Sequence, residues 1–257
     1  VMARVRVHLR IRQATRQLVD AQRSKLRGLG DAQQAILARP ADCPGAAFDV
    51  AFRPLEEASG DFYDVVQIAD DVFGYFVADV AGHNVAASFL TATLKVLFRQ
   101  YSGLTFAPEE TLRSINTVIG ASLAEEQYLT ACYARMNRRR RQLSVMTAGH
   151  PAPILVPAGR DPVLIQGESD PLGVFGSVVI HRTDLFVEPG DRLFLYTDGL
   201  IEADGLSRQA GIDILARHCL ATRGRPVAAV RDVLEALRPQ AHPAADDLLL
   251  LGVDLLP

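Results

Sequence analysis

Three apolar runs of strand length in this chain meet an aspartate at one end. One run ends on Asp79, a second ends on Asp198, and a third begins on Asp61. Such runs are typical of buried strands, and an unpaired carboxylate at the rim of a buried sheet is unfavourable. A cation relieves that penalty, and ligand sets made only of oxygen favour Mg²⁺, Mn²⁺ or Ca²⁺. The sequence therefore predicts buried sheets that support a metal-dependent reaction.

The order of the predicted elements indicates an α+β fold. Strands are predicted at residues 48–52, 61–68, 72–80, 129–136, 142–147, 152–156, 179–187, 192–197 and 248–253. Helices are predicted at residues 85–101, 108–124, 208–219 and 226–238. Because the helices come in pairs rather than between successive strands, a βαβ alternation is not expected. We predict a two-sheet antiparallel β-sandwich flanked by helices.

Residues 1–38 differ from the rest of the chain and predict an N-terminal linker helix. A coiled-coil-like apolar seam is spaced three and four residues apart, at Ile11, Ala14, Leu18 and Ala21. Gly28 and Gly30 weaken this helix in its middle. Such a seam can form a homodimer or lie on the domain, and we favour the homodimer. A second domain is predicted at residues 46–257, after the Pro- and Gly-containing residues 39–45.

Composition and charge argue against several classes of partner. The chain has 257 residues, of which 49% are apolar and 22% charged, as in a globular domain with a substantial core. With a net charge of −3, the chain lacks the excess of basic residues that is typical of nucleic-acid-binding proteins. The basic run Arg138–Arg141 is interpreted as a hairpin turn. No apolar stretch approaches the roughly 20 residues of a membrane span. Three cysteines without close spacing fit a reducing, cytoplasmic location.

Two further acidic segments extend the predicted metal site. After Asp79 the chain turns through a glycine into a helix, so the Asp79 carboxylate and the Val80 carbonyl can point the same way. Asp198 is also followed by glycine, and the adjacent acids Asp246 and Asp247 precede the last strand. A single Asp-Gly is usually only a turn. Together with Asp61, however, these acids can form a cage for two ions that activate water and bind a phosphoryl group.

The motifs occur in an order that resembles a known family. Ala58–Asp64 resembles the element "GGDFYD", Asp79–Asn84 resembles "DVSGHG", and Thr147–Pro153 resembles "NAGHPPP". Residues 171–174 and 190–203 match further elements, and Asp246-Asp247 completes the series. The chain resembles, over about residues 46–255, the PPM superfamily of metal-dependent protein serine/threonine phosphatases in its SpoIIE-like bacterial branch.

The resemblance implies a ligand set, a reaction and a substrate. It implies two Mn²⁺ or Mg²⁺ ions held by Asp61, Asp79, Asp198, Asp246 and the Val80 carbonyl. Asp247 is the acid of its pair that the resemblance does not place on the metal. The implied reaction has no phosphoenzyme, because a metal-bridging hydroxide attacks phosphorus in line. The implied substrate is phosphoserine or phosphothreonine on an anti-sigma-factor antagonist protein.

Two histidines and two departures from the motifs affect the details. His83 lies beside the site and is a candidate general acid, whereas His150 is interpreted as hydrogen-bonded scaffolding. Ser59 stands where the family has glycine, and we expect it to crowd the approach to Asp61. Asn84 also replaces a glycine, and asparagine tolerates left-handed backbone well enough to keep that turn.

The N-terminus carries a second resemblance, and competing functions remain open. Residues 1–10 are similar to the end of the last helix of a response-regulator receiver domain. That similarity implies a response-regulator output domain, with residues 11–38 as the connecting helix. We also predict that this helix positions Asp61 or its neighbours through dimer contacts. A non-catalytic adaptor with the phosphatase fold is the main alternative. A two-metal nuclease or phosphodiesterase suits the acids, but neither the net charge nor the motif order.

Overall fold

Two five-stranded antiparallel sheets form the centre of the computed structural model, which describes residues 2–81, 85–123, 127–202, 206–239 and 246–256. The strands are β1 (Phe48–Arg53), β2 (Asp61–Ala69), β3 (Val72–Val80), β4 (Leu129–Asn137), β5 (Gln142–Ala148), β6 (Ile154–Val156), β7 (Val163–Leu164), β8 (Arg182–Phe186), β9 (Arg192–Tyr196) and β10 (Leu248–Asp254). The helices are α1 (Met2–Ile36), α2 (Val85–Tyr101), α3 (Pro108–Gly120), α4 (Arg208–Leu220) and α5 (Val230–Leu237). No helix in the described ranges is both long and apolar enough to cross a bilayer.

The strand order confirms the predicted sandwich with outer helices. The first sheet has the order β1-β10-β9-β6-β7 and the second the order β2-β3-β4-β5-β8. Helices α2 and α3 pack on the second sheet, and α4 and α5 pack on the first. The ring of Phe76 on β3 stacks on Phe98 of α2 with centroids 4.7 Å apart. Burial of such rings between layers contributes about 1.5–3 kcal/mol each.

Most element boundaries agree with the predictions to within a few residues, and the exceptions have local causes. The strand predicted at 179–187 begins only at Arg182 because the preceding residues bond to a neighbouring loop. The Asp170 amide donates to the Val179 carbonyl at 3.2 Å, and the His181 amide donates to Ser169 Oγ at 2.9 Å. The two-residue strand β7 was not predicted, since two residues carry no periodic signal.

Helix α1 is continuous through the glycines that were expected to weaken it. At Gly30 an added Cβ would lie 1.8 Å from the Glu57 carbonyl oxygen, whereas at Gly28 it would meet no atom within 4 Å. Gly30 is therefore required by a close backbone approach to the domain. The predicted seam at Ile11, Ala14 and Leu18 concerns side chains that lie outside the described residues. Homodimer formation through this helix remains a prediction.

Candidate metal centre

Asp61 and Asp79 lie directly opposite each other at the end of the β2–β3 hairpin. Residues opposite each other in an antiparallel pair share one face of the sheet. Tyr63, two residues after Asp61, contacts Phe52 of the first sheet with ring centroids 6.3 Å apart. Since residues two apart in a strand point to the same face, both acids face the first sheet. Asp61 is only 3% exposed.

The end of β9 reaches Asp61 through a hydroxyl group. Thr197 Oγ1 donates to Asp61 Oδ2 at 2.7 Å and accepts from the Leu249 amide at 3.2 Å. Thr197 immediately precedes Asp198, which begins a short 3₁₀ turn. One threonine therefore connects the acid of the second sheet with the segment that carries Asp198.

Asp198 and Asp246 come from neighbouring segments that are in close backbone contact. An added Cβ on Gly199 would lie 2.2 Å from the Asp247 carbonyl oxygen and 3.2 Å from Asp246 Cβ. A side chain at position 199 would therefore separate the two segments. The Asp-Gly sequence thus has a structural reason here, because the absence of a side chain lets β9 and the start of β10 approach each other.

The two adjacent acids before β10 have different environments. Asp246 is exposed, whereas Asp247 is 4% exposed and accepts three hydrogen bonds. They come from the Leu55 amide at 2.7 Å, Ser59 Oγ at 2.6 Å and the Gly60 amide at 3.0 Å. Through these three bonds the Asp247 carboxylate holds the loop that leads into β2. This agrees with the proposal of Asp246, rather than Asp247, as a ligand.

Ser59 does not crowd Asp61, which corrects our expectation for this substitution. Its hydroxyl donates to Asp247 and also accepts from the Asp61 amide at 3.0 Å. The serine side chain thus links the loop to both acids. The Ser59 backbone is held in turn by Gln33 of α1, which accepts from its amide at 3.0 Å and donates to its carbonyl at 2.6 Å.

Burial and mutual repulsion raise the pKa values of the clustered acids. Burial, followed by the charges of Asp79 and Asp247, raises the pKa of Asp61 well above its usual value. Burial, followed by the charges of Asp198 and Asp246, raises the pKa of Asp79 to about 7. Burial, followed by the charge of Glu202, raises the pKa of Asp198, and the positive charge of Arg208 offsets part of that rise. Burial and neighbouring negative charge therefore both disfavour the ionised form of these acids.

The chemistry of this cluster fits a divalent cation. Asp61 is buried, Asp79 and Asp198 are partly buried, and Asp246 is exposed. Carboxylates whose charge is disfavoured by burial or by neighbouring acids are groups that a hard cation neutralises, and all their donor atoms are oxygen. Within the described ranges, which include Asp61, Asp79, Asp198 and Asp246, no group of three or more acidic, histidine or cysteine side chains is arranged to hold a metal ion. The structure thus does not gather the four predicted carboxylates around one point, and this ligand set stays a prediction. Residues 82–84, which follow the segment of Asp79 and Val80, and residues 240–245, which precede Asp246, lie outside the described ranges. The proposed general acid His83 is among them.

His150 is a buried part of the framework beside Asp79. Thr130 of β4 lies opposite Asp79, and its Oγ1 is 2.8 Å from His150 Nδ1. Burial lowers the pKa of His150 to about 3, so its imidazole is neutral at physiological pH. A neutral, 8% exposed imidazole bonded to a threonine agrees with the scaffold interpretation.

Sequence reasoning assigned no role to Asp64, although it lies in the same motif as Asp61. Asp64 is fully buried and accepts from Arg99 Nε at 2.7 Å and from Lys95 Nζ at 3.2 Å. Lys95 also donates to the Ile36 carbonyl at the end of α1. Strand alternation was the available signal, because residues three apart point to opposite faces. Asp64 therefore anchors α2, and through it α1, on the face opposite the metal ligands.

Comparison with known proteins assigns the family. The profile of the Stage II sporulation protein E (SpoIIE) family matches residues 69–256. The chain belongs to the SpoIIE family of PPM phosphatase domains. The match includes Asp79, Asp198 and Asp246 of the candidate metal centre.

One similar sequence and two structures of the same fold accompany this family match. The chain is 25% identical over 230 residues to the phosphoserine phosphatase RsbP of Bacillus subtilis (strain 168), covering 87% of this chain and 56% of RsbP. The chain thus spans about half the length of that relative. The SiaA-PP2C domain of Pseudomonas aeruginosa superposes with a TM-score of 0.73 at 22% identity, covering 94% of this chain and 98% of that domain. RsbX in complex with magnesium superposes with a TM-score of 0.61 at 20% identity, covering 80% of this chain and 94% of RsbX.

Proposed function

We propose that this chain is a metal-dependent protein serine/threonine phosphatase. The observation that supports it most directly is the pairing of Asp61 with Asp79 at the end of the β2–β3 hairpin, where Thr197, which precedes Asp198, donates to Asp61. Asp61 and Asp79 lie opposite each other in the second sheet, and the charges of Asp198 and Asp246 act on Asp79. Family membership and the phosphoserine phosphatase RsbP among the relatives support the same activity.

The acids and one backbone oxygen provide the proposed ligands. Asp61, Asp79, Asp198, Asp246 and the Val80 carbonyl would hold two Mn²⁺ or Mg²⁺ ions. The magnesium complex of the structurally similar RsbX supports the choice of hard cation. When bound, such ions stabilise negative charge on a phosphoryl group and activate the attacking water.

The chain's own side chains orient these ligands. Thr197 fixes one oxygen of the Asp61 carboxylate, and Asp247 with Ser59 fixes the loop that precedes it. His150 is neutral and buried, so it supports the β4 segment opposite Asp79 rather than transferring a proton. Fixed ligands need little reorganisation during the reaction, which favours catalysis.

The substrate and the regulation are finer parts of the proposal. The family resemblance and the phosphoserine activity in the name of RsbP support phosphoserine or phosphothreonine on an anti-sigma-factor antagonist. The contacts of Gln33 with Ser59 support control of the site by α1. We keep the response-regulator origin, the homodimer and the cytoplasmic location as predictions.

The test is hydrolysis of a phosphoserine-containing antagonist protein with and without Mn²⁺. Asp79→Asn and Asp198→Asn should each abolish metal-stimulated phosphate release while circular dichroism shows an intact fold. Asp71→Asn is the matched control, since Asp71 is exposed at the other end of the β2–β3 hairpin. Full activity in either site variant contradicts the mechanism. A wild-type chain that binds the antagonist but releases no phosphate supports the adaptor alternative.

A further inference from the structure

An exposed apolar strip lies next to the end of β3, where the segment of Asp79 and Val80 is located. We define the strip by four side chains that are each at least 42% exposed, namely Tyr128, Val174, Phe175 and Val179. The last three belong to residues 171–180, a stretch that contains no charged residue. Single exposed apolar residues are common on proteins, whereas groups of them mark binding surfaces.

Backbone pairing places this strip close to the proposed metal ligands. Val80, whose carbonyl is a proposed ligand, lies opposite Leu129 at the end of the β3–β4 ladder. Leu129 in turn pairs with Leu172 through two backbone hydrogen bonds of 3.0 and 2.9 Å. Two strand spacings of about 4.8 Å therefore put Leu172 about 10 Å from Val80. Tyr128 precedes Leu129, and its carbonyl accepts from the Ala81 amide at 3.0 Å.

A buried asparagine of α3 holds the loop of Val174 and Phe175. Asn116 Oδ1 accepts from the Gly173 amide at 2.8 Å, and its Nδ2 donates to the Phe175 carbonyl at 3.0 Å. The carboxylate of Asp170 fixes the far end of the stretch by accepting from the Val179 amide at 2.9 Å. Because the backbone is held at both ends, a partner meets a preformed surface and loses little conformational entropy on binding.

A protein that presents phosphoserine to the acids has to cover this strip. Even a small transient interface buries about 600 Å² on each partner, which corresponds to a disc of about 14 Å radius. Centred on Val80, such a disc extends past Leu172, at about 10 Å, to the residues that follow it. We propose that the apolar strip is a docking surface for an apolar patch beside the phosphoserine of the protein substrate. This inference rests on the proposed phosphatase function.

A large and a small substrate separate docking from chemistry. Phe175→Ala should raise KM for a phosphoserine-containing antagonist protein roughly fivefold or more, because it removes an aromatic contact from the interface. The values of kcat and KM for p-nitrophenyl phosphate, which is too small to reach the strip, should stay at those of the wild type. Phe175→Leu keeps an apolar side chain and should restore most of the loss.

Phe186→Ala is the matched control for these kinetics. Phe186 is 86% exposed, and its pairing with Gln142 places it at the end of the second sheet opposite Asp79. Its truncation removes an equally exposed aromatic ring far from the strip. The KM of this variant should equal that of the wild type for both substrates.

Calorimetric titration of the same phosphoprotein into Asp79→Asn measures docking without turnover. Adding Phe175→Ala to that variant should raise Kd by about the same factor as KM. An unchanged KM and Kd would overturn the inference, and so would an equal change with p-nitrophenyl phosphate. Loss of self-association in Phe175→Ala on sedimentation would assign the strip to a second copy and overturn it as well. A chain that releases no phosphate but binds the phosphoprotein more weakly after Phe175→Ala would support the docking surface and contradict the proposed function.

Discussion

At the scale of single residues, the acids could be identified from sequence but their partners could not. Asp61 stands out because it opens an apolar run, and Asp79 because it ends one. The hydrogen bonds that orient this group join residues far apart in the chain. Thr197 and Asp61 are 136 positions apart, and Ser59 and Asp247 are 188 apart. No local pattern predicts such pairs, so Ser59 was misinterpreted as an obstacle.

The buried imidazole of His150 predicts a pH-dependent stability. Its pKa is about 3 in the folded protein against an ordinary value of 6.5, so protonation favours the unfolded chain. This residue's contribution is complete above pH 6.5 and is lost as the pH falls below that value. Between pH 7.5 and 5.5 the wild type should therefore lose about 1 kcal/mol more unfolding free energy than His150→Gln.

Urea denaturation of both proteins at the two pH values measures this difference. Comparing the variant with the wild type removes the contributions of the acids, whose raised pKa values act in the opposite direction. Equal losses in both proteins would show that His150 is not buried in its neutral form.

At the scale of elements, sequence periodicity predicted most helices and strands. The features that it did not predict depend on contacts between elements. The helix predicted at residues 85–101 is observed at the same bounds, because its apolar residues follow a helical repeat. Helix α1 is continuous through the two glycines that were expected to weaken it. Helix propensity alone treats Gly28 and Gly30 alike, whereas only Gly30 lies against the Glu57 carbonyl.

The two glycines therefore predict opposite effects of the same substitution. Gly30→Ala should destabilise the docked helix by about 1–3 kcal/mol, because the new Cβ cannot fit against the Glu57 carbonyl. Gly28→Ala should stabilise it by up to about 1 kcal/mol, since alanine is the better helix former and the site is open. If α1 positions the loop before Asp61, Gly30→Ala should also lower phosphatase turnover.

Amide hydrogen exchange of residues 24–36 measures the docking of α1, and turnover is measured in parallel. Equal protection in both variants would contradict the close approach at Gly30. Reduced protection with unchanged turnover would leave the packing correct but contradict the control of the site by α1.

At the scale of the whole molecule, the predicted site takes its ligands from both sheets. Asp61 and Asp79 belong to the second sheet, whereas Asp198 and Asp246 follow and precede strands of the first. The sequence predicts the sandwich from its order of elements. It does not predict which strand ends meet, because that depends on packing between the sheets. The motif resemblance supplied this information, and the coupling among the acids agrees with it.

Isothermal titration calorimetry with Mn²⁺ tests the central claim, namely that these acids form a divalent metal site. The wild-type chain should bind Mn²⁺ with measurable heat, and Asp79→Asn should bind it much more weakly while remaining folded. The exposed control Asp71→Asn should bind as the wild type does. No Mn²⁺ binding by the wild type, or equal binding by Asp79→Asn, would contradict the account.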